Sequence, residues 1–209
     1  MALVLCLGNP GERYARTRHN VGWQVLDELR QRLRAREGVR DPAYREWVAE
    51  HGTRRVALVQ PLTFMNLSGE ALAAWQATNP VVATESSEPT AEAQPAPRRD
   101  LLVVADDVYL PVGWLRMRAR GSSGGHRGLD SIEQALGTTD YARLRIGVGG
   151  VESGELKQYV LEEPSAAEAK VMGDAIRVAA DAVQCWLEEG ILAAMNRFNR
   201  KVPREATES

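Results

Sequence analysis

Ala2-Leu3-Val4-Leu5-Cys6-Leu7, followed at once by Gly8-Asn9-Pro10-Gly11, is the stretch whose reading decides the architecture of this chain. Six apolar residues in succession have no polar face to turn to water. Such a run is a strand covered on both sides, as in a largely parallel sheet layered between helices. The Gly-Asn-Pro-Gly turn then stops it. Beyond the turn, Val21, Val25, Leu26, Leu29 and Leu33 recur at helical spacing, with Asn20 placed to cap the helix start.

Working outward, the same alternation repeats. Residues 54–60 read as a strand that Pro61 breaks, and the loop Leu62-Thr63-Phe64-Met65-Asn66 leads to a helix with Ser68 as its cap. Residues 101–105 form another short buried strand, ending at Asp106-Asp107. Residues 112–118 read as a strand in which basic and apolar residues alternate. A glycine-rich loop covers 121–128, a helix runs from Leu129 to near Gly137, and Leu144, Ile146 and Val148 mark a further strand. A long helix is expected from about Ser165 to Glu189, with Val171, Ile176, Val183 and Trp186 inward, then a short amphipathic segment reaching Phe198. Strands and helices in turn predict a single α/β domain over 1–209, with a twisted mixed β-sheet flanked by helices. Residues 79–100 are rich in Pro, Ala, Glu, Ser and Thr and carry no aromatic residue. They are read as a disordered insertion, because they cannot bury enough area to offset their ordering entropy. Residues 200–209 are read as a frayed tail.

Composition narrows the function classes. The 209 residues are 44% hydrophobic and 26% charged, which fits a globular chain able to bury a core without staples. The longest apolar run is too short to span a bilayer, and the N-terminus carries no secretory pattern. The two cysteines, Cys6 and Cys185, lie outside any CxxC pattern and in apolar surroundings, as expected of reduced core thiols in a cytoplasmic protein. A formal net charge of −2 excludes a bulk polycation but not a local phosphate-binding patch. Such a patch is visible: Arg116, Arg118, Arg120 and Arg127 lie in a stretch, 113–128, that holds no acid. Arginine makes up 23 of the 26 basic residues, a bias that genome composition explains more simply than phosphate recognition does.

Only three histidines are present: His19, His51 and His126. In an open α/β sheet, sites form beyond the carboxyl ends of the strands. Asn9, Asp106 and Asn66 stand at such ends, and His19 at a loop-to-helix junction. Together they supply a base, a carboxylate to orient it and amide donors for a developing oxyanion. Each also has a plainer reading: His19 as a helix-start residue, Asn9 as a turn former, Asn66 and Asp106 as satisfiers of loop backbone. Sharper motifs fail. Gly8-Asn9-Pro10-Gly11 is not GxGxxG. Residues 121–125 match GxSxG, but the only later histidine, His126, is too near to serve a nucleophile elbow. His19 and His126 lack metal-ligand spacing, so a metal site is not expected from them.

Taken in order, the motifs resemble one family, the bacterial-type peptidyl-tRNA hydrolases. The resemblance rests on Leu7-Gly8-Asn9-Pro10-Gly11 with Tyr14, and on Thr17-Arg18-His19-Asn20-Val21-Gly22. It continues through Pro61-Leu62-Thr63-Phe64-Met65-Asn66-Leu67-Ser68-Gly69, Val103-Val104-Ala105-Asp106-Asp107, Leu110-Pro111 and residues 121–128. Leu144-Arg145-Ile146-Gly147-Val148-Gly149 and Asn196-Arg197-Phe198-Asn199 complete it. It implies hydrolysis of the ester joining a peptide to the 3′ ribose of tRNA, by a cytoplasmic monomer without cofactor or obligate protein partner. It casts His19 as general base, Asp106 as the carboxylate that orients it, and Asn9 as the residue telling N-blocked from free aminoacyl ends. Tyr14, Phe64 and Asn66 match substrate-contacting positions, and Arg116, Arg118, Arg120 and Arg145 are the expected phosphate contacts.

Three departures stand out. The family's Gly-His-Asn-Gly reads Gly125-His126-Arg127-Gly128, so a guanidinium replaces a substrate-binding amide. A familiar acid is Tyr109, and residues 79–100 exceed the family's usual link. Arg127 is expected to line the substrate path. Two rival readings remain at this point: a non-catalytic RNA-binding protein on the same fold, favoured by Arg127 and the basic stripe, and a serine or metal-dependent esterase.

Overall fold

The computed structural model describes residues 1–79, 98–150 and 155–199. The opening run folds as β1, Ala2–Cys6, with all five residues buried. After two 3-10 turns, Glu12–Tyr14 and Arg18–Asn20, come α1 (Val21–Arg32), β2 (Arg36–Arg40), β3 (Tyr44–His51) and β4 (Arg54–Pro61). A third 3-10 turn, Met65–Leu67, leads into α2 (Ser68–Thr78). Then follow β5 (Arg98–Asp107), β6 (Leu115–Arg118), α3 (Arg127–Leu136) and β7 (Tyr141–Gly147). The described chain closes with α4 (Leu156–Val160), α5 (Ala166–Glu189) and α6 (Ile191–Phe198).

The seven strands form one mixed sheet in the order β2-β3-β4-β1-β5-β7-β6. β1 pairs in parallel with both β4 and β5, and β5 in parallel with β7. β2, β3 and β6 join their neighbours antiparallel. β1 therefore sits between two parallel neighbours and buries both faces. Ala2, Val4 and Cys6 pack with Val25, Leu29, Val183 and Trp186 of α1 and α5. Leu3, Leu5 and Leu7 pack with Leu72, Trp75, Leu129 and Ile132 of α2 and α3. The sequence expectation of one α/β domain with a mixed sheet between helices is what the chain adopts.

Local expectations need four corrections. Asn20 precedes α1 but makes no cap bond, because its side chain is spent on Asn9. Ser68 is inside α2, and its hydroxyl donates back to the Met65 carbonyl instead of accepting from the helix. The strand read over 112–118 begins only at Leu115, since Gly113 takes a positive φ of 83° in the preceding turn. The region read as an insertion over 79–100 is ordered at both edges. Asn79 bonds back to Trp75, and residues 98–100 begin β5, where the Arg98 N–H donates to Asp140. The rest of that reading, and the tail at 200–209, lie outside the described residues. Elsewhere α5 starts from Ser165 with a full capping box to Glu168, and α3 ends at a left-handed Gly137. Cys6 and Cys185 are free and buried. Among the described residues no helix is long and apolar enough to cross a membrane.

Candidate active site

The carboxyl ends of β1 and β5 lie side by side, and a cleft of about 340 Å³ opens above them. Asn9 reaches it from the turn after β1, His19 from the turn before α1, and Asp106 from the end of β5. Phe64, Met65 and Asn66 approach from the loop before α2, and Gly124, Gly125, His126 and Arg127 from the loop before α3. Tyr109, Leu156, Lys157, Val160 and Leu161 complete its lining. Every candidate expected at the reaction centre, Asn9, Tyr14, His19, Phe64, Asn66, Asp106 and Arg127, lines this one cleft.

At its base is a carboxylate holding two imidazoles. His19 Nδ1 lies 2.7 Å and His126 Nε2 2.9 Å from the same oxygen, Oδ1 of Asp106. An ionised carboxylate only accepts, so both ring nitrogens donate. His126 was flagged by its loop but given no role, and this is its role. Its Nδ1 accepts from the backbone N–H groups of Gly128 and Leu129, capping α3 and leaving the proton on Nε2. His19 has the converse arrangement: Nδ1–H is given to Asp106, and no hydrogen bond among the described residues uses Nε2. That nitrogen is the free base of the cleft.

The electrostatics follow from burial and pairing. Asp106 is 2% exposed. Burial alone would raise its pKa, but the two imidazoles and their hydrogen bonds hold it well below the usual carboxylate range. For His19, burial pulls the pKa down; the charge of Asp106 and its hydrogen bond outweigh that, and the net shift is upward.

The ligand atoms of His19, Asp106 and His126 lie within 4.8 Å of one another, close enough to suggest a cation. The donor chemistry does not fit one. His126 can offer Nε2 to a metal only by losing that proton while Nδ1 still accepts two N–H groups, which would make it an imidazolate.

Asn9 is oriented just as firmly. Its Oδ1 accepts the Met65 N–H at 2.8 Å, which turns the Nδ2 amide toward the cleft as a donor. Its backbone is clamped by Asn20, whose Oδ1 accepts Asn9 N–H at 2.9 Å and whose Nδ2 donates to Asn9 O at 3.0 Å. Close approach of α3 to this floor needs Gly128: a Cβ there would come within 2.5 Å of Met65 Sδ and 2.8 Å of Leu7 Cδ1. Phe64 and Asn66 are exposed on the rim, Tyr14 is half-buried under Arg13, and Arg127 is exposed with no ion pair among the described residues.

The basic residues divide. Arg116 and Arg118 alternate on edge strand β6 with the buried Leu115 and Met117, and both face solvent, as does Arg120 after the strand. Arg145 departs from the expectation of a freely offered phosphate contact. It is 9% exposed, and its guanidinium is engaged by Asp107 Oδ2 at 3.1 Å and by the Ser122 and Ser123 carbonyls. Its task here is to hold the loop that carries His126.

This geometry can be set beside known proteins. The family model described as peptidyl-tRNA hydrolase matches residues 3–206. The chain belongs to the peptidyl-tRNA hydrolase family. A peptidyl-tRNA hydrolase of Syntrophomonas wolfei is 40% identical over 202 residues, covering 95% of this chain and 100% of that protein. One from Symbiobacterium thermophilum is 43% identical over 206 residues, covering 94% and 98%. Among solved structures, peptidyl-tRNA hydrolase from Acinetobacter baumannii superposes with a TM-score of 0.84 at 26% identity, covering 98% of this chain and 97% of that one. The resemblance read from the motifs is thus a family membership over nearly the whole chain.

Proposed function

We propose that the His19–Asp106 pair, with the Asn9 amide, carries out the hydrolysis of peptidyl-tRNA that family membership assigns to this chain. Water held at His19 Nε2 gives its proton to the imidazole, and the hydroxide attacks the ester carbonyl carbon. Asp106 fixes the tautomer and balances the imidazolium as it forms. The Asn9 Nδ2–H group donates to a carbonyl of the peptide, a contact that a free, cationic aminoacyl end does not reward. The tetrahedral intermediate then expels the 3′ ribose oxygen, which takes the proton back from His19. The products are free tRNA and a peptide carboxylic acid, which gives its proton to solvent and leaves as the carboxylate. The observation that carries this reading is the free Nε2 of an imidazole whose other nitrogen is tied to a buried carboxylate. A binding module has no use for such a pair.

Arg116 and Arg118 on β6, with Arg120 just after it, hold tRNA phosphates, while Arg145, paired with Asp107, holds the loop that carries His126. Tyr14, Phe64, Asn66 and Arg127 contact the substrate around the scissile bond. The enzyme works in the cytoplasm, where ribosomes release its substrate, and as a monomer, a reading supported by all the candidate residues of the cleft coming from one chain.

The test is release of N-acetyl amino acid from N-acetyl-aminoacyl-tRNA by the pure protein without added metal. His19→Ala is expected to slow it by about 10²–10⁴-fold while tRNA still binds. Near-normal turnover in that variant overturns the mechanism.

A further inference from the structure

We propose that Arg18 is a positioning residue for this reaction, fixing the wall of the cleft formed by α4 against the turn that carries His19; this rests on the hydrolase reading above. Arg18 precedes the base in sequence, and its side chain runs to α4 and the start of α5. The guanidinium stacks on the Tyr159 ring, with Cζ 4.1 Å from its centre. Nη2 pairs with Glu168 Oε2 at 2.9 Å, and Nη1 donates to the carbonyls of Tyr159 at 3.2 Å and Glu162 at 3.4 Å. The Arg18 backbone N–H also donates to Glu162 O. The Arg18 side chain is only 8% exposed and Glu168 is partly buried, so the ion pair is more shielded than a surface pair.

The partners are themselves tied down. Glu168 closes the capping box of α5 with Ser165, and the Tyr159 hydroxyl donates to Val148 O at 2.9 Å. α4, by contrast, is five residues long and buries none of them fully. A helix that short has little stability of its own. Its Leu156, Lys157 and Val160, with Leu161, line the same cleft as His19. The contacts of Arg18 therefore set how far that wall stands from the base, and with it the fit of the peptidyl end.

The experiment compares Arg18→Met, Arg18→Lys and Tyr159→Leu with the unsubstituted protein on N-acetyl-aminoacyl-tRNA and on a longer peptidyl-tRNA. Folding is checked by circular dichroism. Arg18→Met is expected to raise KM about tenfold, short of the ~10²-fold that a 1 Å misplacement can cost, with kcat changed far less. The rise should be larger for the longer peptide. Arg18→Lys, which keeps the charge but not the planar fork, should recover part of the loss. Tyr159→Leu should move KM the same way. A folded Arg18→Met with unaltered KM overturns the proposal, as does a fall in kcat alone. If Arg18→Met fails to fold, an unaltered KM in Tyr159→Leu overturns it. An unsubstituted protein that releases nothing from either substrate refutes the hydrolase reading instead.

Discussion

His19 and Asp106, 87 residues apart in sequence, meet at 2.7 Å through Nδ1 and Oδ1, and the pair lies where β1 and β5 end side by side. The contact sets the charge state of the base. Because the net shift of His19 is upward, kcat/KM should climb with pH through a midpoint above that of an ordinary histidine, as the imidazole loses its proton. Asp106→Asn removes the charge that raises the pKa and weakens the hydrogen bond to one with a neutral acceptor, while burial, which lowers it, stays. The rising limb should therefore move to lower pH while the plateau rate falls. The stability linked to this pair has the matching sign: it is full below the unfolded histidine pKa and is lost as pH rises through the folded one. A pH–rate profile of both proteins measures the shift, and a limb that stays put refutes the assignment.

His126 should matter to both stability and rate. His126→Ala removes the acceptor for the Gly128 and Leu129 N–H groups and one of the two N–H groups on Asp106. Loss of such a cap typically costs about 0.5–2 kcal/mol. Urea unfolding should show that loss, and kcat should drop because Asp106 is no longer held from its second side. Unchanged kcat would mean that His19 alone orients the carboxylate.

How much of this was legible in the sequence depends on distance and pattern. β1 was readable because six consecutive apolar residues allow one interpretation, and α5 because Val171, Ile176, Val183 and Trp186 recur at helical spacing. β2 and β3 passed unread for a physical reason. All five residues of β2 are exposed, and in β3 the buried Tyr44 and Trp47 are interleaved with Arg45 and Glu46, whose buried carboxylate accepts from the Trp75 indole and the Val39 N–H. Asn20 looked like a cap because it stands at a helix start; its real partner, Asn9, is brought in by the turn between them. The catalytic candidates could be named because strand ends mark sites. That His126 shares Asp106, and that Arg18 ties down α4, depend on side-chain contacts between distant segments.

Two glycine substitutions should move stability in opposite directions. A Cβ at Gly22 would stand 2.4 Å from Leu7 O and 3.0 Å from Val104 O, where α1 lies against β1 and β5. Backbone oxygens cannot rotate away, so Gly22→Ala should cost about 1–3 kcal/mol, the usual range for overpacking. Gly173, inside α5, has open space around its Cβ position. Gly173→Ala should stabilise by about 0.5–1 kcal/mol through helix propensity. Thermal melts of the two variants separate packing from propensity, and a neutral Gly22→Ala would mean that α1 shifts without cost.

The exposed arginines of β6 predict a salt dependence out of keeping with the chain's net charge of −2. tRNA binding should weaken steeply as salt rises. Each phosphate contact removed should lower the log–log slope by about 0.7–0.9. Arg116→Ala with Arg118→Ala, read by filter binding across a salt series, tests this. An unaltered affinity and slope would take the β6 stripe out of the tRNA path.

Arg127 is where this chain departs from the pattern of its family, and the structure sharpens the question. The side chain is exposed at the first position of α3, on the lip of the cleft beside the His126 cap, and has no ion pair among the described residues. A guanidinium donates but does not accept, so it cannot reproduce the two-way hydrogen bonding of an amide there. Its planar fork suits a phosphate of the tRNA acceptor end better than an ester carbonyl. A contact of that kind is made equally in the ground and transition states. Arg127→Ala should therefore raise KM with less effect on kcat, and Arg127→Asn should recover part of the loss through amide contacts. The KM effect should also shrink as salt rises, since screening weakens the phosphate contact in the unsubstituted protein. Steady-state kinetics of both variants at two salt concentrations decide the matter. Unchanged KM in both would make Arg127 a solvated surface residue, whereas a collapse of kcat at constant KM would put its charge on the developing oxyanion.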